Sequence, residues 1–319
     1  MDGIIQAGHY LRQQLREVTP DIIRTQYPEL WGYEGKHHTV QMNLPFGLRE
    51  IWQSRIDHSG VAVNFGGKAT DIPLANFGIG ADKYKTVIGV LGAEWDWMEL
   101  QSQEQAMKAN LPTVDCVTEY RAALEKGLRE WVHLKTLFGD TTIGFNGLFN
   151  HAEIEVIDTT TNLNTATSRD LQNFFRGIIK DFKKNSRLTA SPTKILGSID
   201  LIYALNAPFT DAAGAVTAKG SAREALLTSG DIASIDEVNE LSNSYLSQFG
   251  VTAASTTKDA FILYEPSAET LYKRQSRILT TPVGLKDDQM TYRTTGLVAV
   301  SEVIIKRPYR VKIYTYPKF

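Results

Sequence analysis

Residues 113–151, TVDCVTEYRAALEKGLREWVHLKTLFGDTTIGFNGLFNH, combine a long helical pattern with the turn that ends it. Thr113 follows Pro112 and is a candidate N-cap. Gly139-Asp140 ends the periodic pattern. The helix is predicted from Thr113 to Phe138, about 39 Å long at about 1.5 Å per residue. The apolar residues that recur at spacings of three and four are Val117, Tyr120, Leu124, Leu128, Trp131 and Leu134.

A long β-hairpin is predicted before this helix, in residues 59–97. Apolar side chains take every second position in residues 61–65 and again in residues 84–90. Gly66, Gly67 and Lys68 belong to the turn-rich stretch between the two segments. An isolated two-stranded ribbon is marginal in water. The hairpin is therefore expected to dock on another surface.

The N-terminal part of the chain is expected to form an arm. Residues 4–15 predict a short amphipathic helix. The stretch that follows is rich in proline and glycine and carries aromatic residues, including Trp31 and Phe46. It has too little periodicity to predict an element of its own. We expect it to lie against this chain or a neighbouring copy.

The second half of the sequence mixes helices and strands. Thr167-x-x-Asp170 resembles a capping box and begins an apolar helical stripe that continues to Phe182. The remaining predicted elements are a buried strand over 195–205, a helix over 236–249, a short strand over 260–264, and two antiparallel strands over 297–316 broken at Arg307-Pro308. The fold class is therefore α+β.

Composition excludes several classes of protein. The chain has 319 residues, 34 Lys+Arg against 36 Asp+Glu, 42% hydrophobic and 22% charged residues. These values exclude a disordered chain, a collagen-like repeat and a coiled-coil rod. The net charge of −2 gives no overall footprint for strong nucleic-acid binding. With one cysteine, no signal peptide pattern and no uninterrupted run of about 18 apolar residues, the sequence predicts a soluble protein of a reducing compartment.

The candidate chemical residues have structural explanations that are favoured over functional ones. His37-His38 is expected to be an exposed loop pair rather than a metal site, because no third ligand has suitable spacing. The carboxylates of Glu94, Asp96 and Glu99 lie near two tryptophans, but a solvated strand end is the default. Cys116 is expected to be structural and partly buried. The cations of residues 180–187 fit a helix C-terminus. No catalytic residue, cofactor or metal is predicted.

The order of these elements resembles the tailed-phage major capsid proteins of the Hong Kong 97 (phage) fold, which encapsulin shells share. The resemblance is carried by the arm, the hairpin, the long helix, the GFNGLFNH turn at 144–151 with a strand over 153–157 after it, and the ending VIIKRP at 303–308. It implies an arm over 1–58, an extended loop over 59–100, a peripheral domain over 101–145 and 291–319 that holds a spine helix, and an axial domain over 146–290.

The resemblance also implies a function and partners. A self-assembling icosahedral shell would enclose the genome of a tailed phage, with the protein in the virion after assembly in the host cytoplasm. Its partners would be other copies in hexamers and pentamers, with scaffolding, portal and decoration proteins as further candidates and only weak non-specific contact with packaged DNA. No membrane is implied. The candidate subunit contacts are Trp31, Phe46, Gly66, Gly67 and Lys68.

Two alternatives remain open at this point. One is an encapsulin-like shell that holds a cargo enzyme, in which residues 4–15 would line the cargo groove. The other belongs to a different class, a soluble enzyme that uses the Glu94, Asp96 and Glu99 carboxylates or Cys116. A pocket that converges on those residues would support the enzyme.

Overall fold

A five-stranded sheet with three strands buried on both faces forms the centre of the larger part of the fold. The computed structural model describes residues 28–60, 74–108, 114–210, 216–248, 258–286 and 290–318. The sheet has the order β4 (Glu155–Asp158), β15 (Val311–Pro317), β9 (Lys258–Tyr264), β5 (Lys194–Gly197) and β8 (Ser234–Glu237). β15 is parallel to β4 and antiparallel to β9, and β5 is antiparallel to β9 and parallel to β8.

The two faces of this sheet pack against different helices. On β9, Ile262 and Tyr264 join one apolar cluster, whereas Phe261 and Leu263 join the other. The first cluster includes the end of helix α3 (Cys116–Phe138), and the second includes helix α4 (Ser168–Asn185). Because successive side chains of a strand point to opposite faces, both faces of β9 can be buried only between two layers. The short strand predicted at 260–264 is confirmed and begins two residues earlier.

Two predicted helices are confirmed, with different caps. Helix α4 begins where the sequence indicates, since the Thr167 side chain accepts a hydrogen bond from the Asp170 backbone N–H. Its buried stripe is Leu171, Phe175, Ile179 and Phe182. Helix α3 begins at Cys116, and the Asp115 carboxylate accepts a hydrogen bond from the Val117 N–H at 3.1 Å. The predicted cap, Thr113, lies outside the described residues.

The predicted hairpin is present, but it begins earlier. Strand β2 (Glu50–Ser59) pairs antiparallel with the first part of β3 (Asn76–Asp96), with Glu50 opposite Lys85 and Ser59 opposite Asn76. The first strand therefore lies in the range that the prediction assigns to the arm. Residues 50–59 escape the prediction because their large apolar residues, Ile51, Trp52 and Ile56, show no strict alternation. Residues 61–73, including Gly66, Gly67 and Lys68, lie outside the described residues, as do residues 4–15.

The remaining elements form three further sheets and the other helices. Strands β1 (Thr39–Gln41), β10 (Leu271–Arg274) and β14 (Ile304–Ile305) form a three-stranded sheet. A second five-stranded sheet has the order β11 (Leu279–Thr280), β13 (Thr291–Ser301), β3 and β2, and β12 (Gly284–Leu285) pairs with β13. Strands β6 (Pro208–Thr210) and β7 (Val216–Ser221) pair with each other. The other helices are α1 (Trp31–Glu34), α2 (Trp97–Lys108), α5 (Ile199–Asn206), α6 (Ala222–Thr228) and α7 (Asn243–Gln248).

The chain falls into two compact units. The smaller contains Leu91–Lys126 and Thr280–Gly296, and the larger contains Leu30–Val90, Gly127–Leu279 and Leu297–Phe319. The five-stranded sheet that contains β15 and the base of the hairpin both belong to the larger unit. The chain passes between the units within β3, α3 and β13.

Three element predictions are wrong. The apolar run over 195–205 is not one strand, because Ser198 accepts a hydrogen bond from the Leu201 N–H and begins helix α5 directly after β5. The helix predicted over 236–249 consists of the end of β8, a 3₁₀ turn at Asn239–Leu241 and helix α7. The segments of 297–316 are not paired with each other, since β13, β14 and β15 join three different sheets. The arm also contains elements that were not expected, α1 and β1.

Candidate subunit-contact surfaces

The hairpin is fixed to the larger unit at its base. Ile51 and Tyr84 lie opposite each other on β2 and β3 and are both buried. The Tyr84 hydroxyl donates a hydrogen bond to the Ile305 carbonyl at 3.2 Å, and burial raises the pKa of this phenol. The Lys85 N–H donates to Glu302 Oε2 at 2.8 Å. The base of the hairpin is therefore held by the Ile305 backbone carbonyl and the Glu302 side chain.

Beyond its base, one face of the hairpin is apolar and exposed. Ile56 lies opposite Ile79, and Phe77 and Trp52 occupy the same face because they lie two and four residues away on their strands. The exposed fractions are 61% for Trp52, 58% for Ile56, 61% for Phe77 and 70% for Ile79. Lys83, opposite Trp52, places its ammonium 4.3 Å from the indole ring. The apolar face is defined here as Trp52, Ile56, Phe77 and Ile79.

The opposite face of the hairpin is polar. Arg55 Nε lies 3.3 Å from Asp57 Oδ2, and both side chains are exposed. The residues opposite them are Gly80 and Gly78, and a Cβ added to either glycine would meet no atom within 4 Å. Beyond the buried pair Ile51 and Tyr84 at the base, large apolar residues are therefore confined to one side of the ribbon.

Exposed apolar side chains continue along the segment that leads into β2. Met42, Phe46 and Leu48 are 47%, 42% and 38% exposed. Phe46, a predicted subunit contact, is thus available on the surface of the chain. The sequence contains a signal for the rest of this surface, since Trp52 and Ile56 are four residues apart and share one face of an extended strand. The sequence analysis does not detect it because it assigns these residues to the arm.

Trp31, the other aromatic candidate, is buried in its own chain. It is 4% exposed and belongs to the apolar cluster on one face of the central sheet. Its indole Nε1 donates a hydrogen bond to Glu240 Oε2 at 3.2 Å. The arm buries this residue against the same chain, so we assign Trp31 to the internal core and do not propose it as a subunit contact.

The histidine pair next to Trp31 is also buried, in contrast to the exposed loop pair that was predicted. His37 and His38 are 3% and 5% exposed. The ring of Trp31 contacts His37 edge-on at 5.0 Å between centroids, and the Tyr264 hydroxyl donates to the His37 carbonyl at 2.6 Å. Burial, assisted by the nearby Lys273 and His37, lowers the pKa of His38 well below its usual range. A neutral imidazole can be packed in a core much like an apolar ring. The sequence pattern does not show whether a histidine is packed in this way.

Gly32 is held by two buried ionisable side chains. Its N–H donates to His133 Nδ1 at 2.9 Å, and its carbonyl accepts a hydrogen bond from Lys273 Nζ. Lys273 also donates to Thr136 Oγ1 at 3.0 Å. A Cβ at position 32 would lie 2.6 Å from His133 Nδ1, so only glycine fits against the helix here. Desolvation lowers the pKa of Lys273 well below its usual range.

The GFNGLFNH turn packs its backbone directly on the end of α3. The Leu148 N–H donates to the Thr136 carbonyl and the Phe149 N–H to the Leu137 carbonyl, both at 2.8 Å. The Asn146 N–H donates to Glu302 Oε1 at 2.6 Å, and Asn150 Oδ1 accepts from the Gly147 N–H at 2.6 Å. The turn therefore connects the helix end, the hairpin anchor Glu302 and the strand β4, which begins at Glu155 rather than at residue 153.

The candidate catalytic carboxylates have separate structural partners. Glu94 forms ion pairs with Lys286 and Arg293 at 3.2 and 3.4 Å, and Glu99 accepts a hydrogen bond from the Tyr120 hydroxyl at 3.2 Å. Asp96 Oδ1 accepts from the Met98 N–H at 3.3 Å. In the part of the chain that the structure describes, no group of three or more His, Cys, Asp or Glu residues could hold a metal ion.

Cys116 and the cationic end of α4 also have local explanations. Cys116 is partly buried at the first position of α3, and its thiol lies 3.8 Å from the Val114 carbonyl oxygen. At the end of α4, Lys183 pairs with Asp231 at 2.5 Å. Arg187 and Leu188 follow with φ values of 51° and 62°, and Leu188 is 81% exposed. Within the described ranges, no helix has the length and hydropathy to cross a membrane.

Comparison with known proteins identifies the family to which this architecture belongs. A family model described as the major capsid protein matches residues 60–315. The chain belongs to this family. No curated protein matched it in a search by sequence.

Solved capsid structures share the fold of this capsid protein at low sequence identity. The capsid of Myoviridae phage XM1 gives a TM-score of 0.75 at 12% identity, covering 95% of this chain and 97% of that chain. Gordonia phage Cozz gives 0.60 at 11% identity over 97% and 94% of the two chains. The capsid of cyanophage P-SCSP1u gives 0.57 at 10% identity over 97% and 95%. The α+β capsid fold is confirmed, and neither the encapsulin nor the enzyme alternative is favoured.

Proposed function

We propose that copies of this major capsid protein form the hexamers and pentamers of a closed icosahedral shell, and that the apolar face of each hairpin lies on a neighbouring copy. The observation that carries this proposal is the exposure of Trp52, Ile56, Phe77 and Ile79 on one side of a ribbon whose other side is polar. An exposed apolar face of this kind is typical of an interaction surface, because apolar area exposed to water is unfavourable.

The expected energy of this contact is large enough to matter. Fully burying a large apolar side chain contributes about 1.5–3 kcal/mol. Each member of the apolar face has more than half of its surface exposed. Covering the four side chains would therefore contribute roughly 4–8 kcal/mol per hairpin before the cost of association. Phe46, on the segment leading into β2, would extend the contact. Gly66, Gly67 and Lys68 remain proposed contacts at the hairpin tip.

The structure supports a revised domain assignment within this proposal. The arm would end before Glu50, and the extended loop would be residues 50–96, because β2 and β3 form one ribbon. The axial domain would be built on the central sheet and would include residues 311–317, because β15 pairs with β4 and β9. The peripheral domain would keep the spine helix α3.

Further partners are also proposals. Scaffolding, portal and decoration proteins would contact the assembled shell, and assembly would take place in the host cytoplasm. A net charge of −2 supports only weak, non-specific contact with packaged DNA.

The test is a pair of matched double variants in the hairpin. Ile56→Ser with Ile79→Ser removes a directly opposed apolar pair. The control, Arg55→Ser with Asp57→Ser, changes two residues on the polar face of β2. We expect the first variant to remain soluble and folded but to lose most assembled particles, and the control to assemble at the wild-type yield. Particle yield is measured by light scattering and electron microscopy, with circular dichroism as the check on folding. Equal particle yields would contradict the docking of the apolar face.

A further inference from the structure

The segment containing α1 and β1, residues 31–41, is attached to the larger unit through groups that titrate. His133 uses Nδ1 to accept the Gly32 N–H, so its proton resides on Nε2, which lies 2.8 Å from Glu240 Oε1. The contact with Gly32 is therefore part of a buried hydrogen-bond chain that ends on Glu240.

His38 is the acid-sensitive member of this cluster. It is 5% exposed, and neither ring nitrogen has a hydrogen-bond partner in the described part of the chain. A buried imidazolium without an acceptor is costly, because an uncompensated charge has lost its solvation.

Among the described residues, the charged and titratable groups buried around His38 are potential cations or carboxylates that already have partners, whereas Glu34 and Lys36, which line the same surface pocket, are exposed to water. Lys273 faces it from β10, His133 from α3 and His37 from its own segment, all of them potential cations. The carboxylate of Glu240 is occupied by His133 and Trp31. The carboxylate of Asp236 pairs with Lys194 at 2.8 Å and lies 3.6 Å from His37 Nδ1. The remaining titratable group, the Tyr264 hydroxyl, donates to the His37 carbonyl.

We propose that this buried cluster is an acid-sensitive latch, which holds residues 31–41 on the larger unit at neutral pH and releases them on acidification. Protonation of His38 within the docked segment would add a cation to a site that already contains Lys273, whereas the released segment exposes His38 to water. The docked form therefore binds fewer protons, and a falling pH favours release.

The size of the effect follows from this linkage. A released His38 titrates near its ordinary value of 6.5. The docked His38 has a pKa well below that value. Lowering the pH from 7.5 to 5.0 should therefore weaken docking by up to about 30-fold, which is the ratio of the factor 1 + 10^(pKa − pH) of the free imidazole at the two pH values.

Amide hydrogen exchange on the purified full-length chain tests the latch. Exchange is measured at pH 7.5 and pH 5.0, with correction for the intrinsic pH dependence of the chemistry. We expect the protection of residues 31–41 to fall by up to about 30-fold at pH 5.0. The same measurements are made on His151→Asn, because protonation of His151 lowers the stability of the fold over the same pH range. In His151→Asn, protection of residues 171–182 in α4 should stay within a few-fold. Unchanged protection of residues 31–41 in either protein, or an equal loss in α4 of His151→Asn, would overturn the proposal.

Three variants assign the response to His38. His38→Leu removes the titrating group and should lose most of the response, so a response equal to that of the wild type would overturn the assignment. His58→Asn changes an exposed histidine on the hairpin, and His151→Asn changes a buried histidine outside the cluster. Both should keep the full wild-type response. Loss of the response in either would place the titrating group elsewhere and refute the latch.

Discussion

Replacing Gly147 by alanine should destabilise the chain severely, because the GFNGLFNH turn leaves no space for a Cβ. A Cβ at this position would lie 2.4 Å from the Gly139 backbone nitrogen and 2.6 Å from the Leu137 carbonyl carbon and oxygen. These atoms belong to the backbone at the end of α3, so no flexible side chain can move aside. The turn would have to shift away from the helix by roughly 1 Å to reach ordinary contact distance.

That shift would break contacts whose energies can be estimated. The hydrogen bonds from Leu148 to Thr136 and from Phe149 to Leu137 would both be stretched, at about 1 kcal/mol each. Leu148 and Phe149 are 5% and 2% exposed, and their displacement from the core would add about 1–3 kcal/mol. The expected loss for Gly147→Ala is about 3–5 kcal/mol.

Gly177→Ala is the matched control, with the opposite sign. Gly177 lies in the interior of α4, is exposed, and a Cβ there would meet no atom within 4 Å. Alanine should therefore stabilise the helix by about 0.5–1 kcal/mol.

Both variants are unfolded in urea and followed by far-ultraviolet circular dichroism, at two protein concentrations so that a contribution from assembly is recognised. A loss below about 1 kcal/mol for Gly147→Ala would refute the close packing of the turn on the helix.

Three further outcomes are expected. Burial lowers the pKa of His151 from 6.5 to about 4. About 3 kcal/mol of stability that is present above pH 6.5 should therefore be lost as the pH falls to 4. A His151 imidazole that titrates near 6.5 by nuclear magnetic resonance would contradict this. Gly32→Ala should cost about 2–4 kcal/mol in urea unfolding and expose the segment around Trp31 to protease, whereas Gly78→Ala on the open polar face of the hairpin should change stability by less than about 0.5 kcal/mol. Cys116→Ser should leave assembly intact and cost about 1 kcal/mol at most, and rapid labelling of the Cys116 thiol in the particle would argue against its partial burial.

The features that depend on neighbouring residues in the sequence could be predicted. Helix α4 has its cap, Thr167, and its apolar stripe within one continuous segment, so periodicity and capping chemistry located it correctly. The long helix and the hairpin follow from the same kind of signal. Their order along the chain was sufficient for the family resemblance.

The features that depend on distant residues could not be predicted. His37 and His38 are buried because α3 and β10 cover them, and their local sequence resembles any exposed loop. The run over 195–205 is mostly apolar, because β5 is buried and α5 buries Leu201, Ile202 and Leu205, and the cap at Ser198 marks the change from strand to helix. The apolar face of the hairpin required the pairing register, since Trp52 and Phe77 share a side only through that register.

The position of β15 in the central sheet has a consequence for the order of folding. This strand lies between β4 and β9 and pairs with both, although more than 40 residues separate it in the chain from either strand. Until β15 is inserted, β4 has no strand partner among the described residues and β9 has an open edge, so the central sheet cannot close. An intermediate without β15 therefore presents unpaired backbone N–H and C=O groups, and these are a template for pairing with another chain.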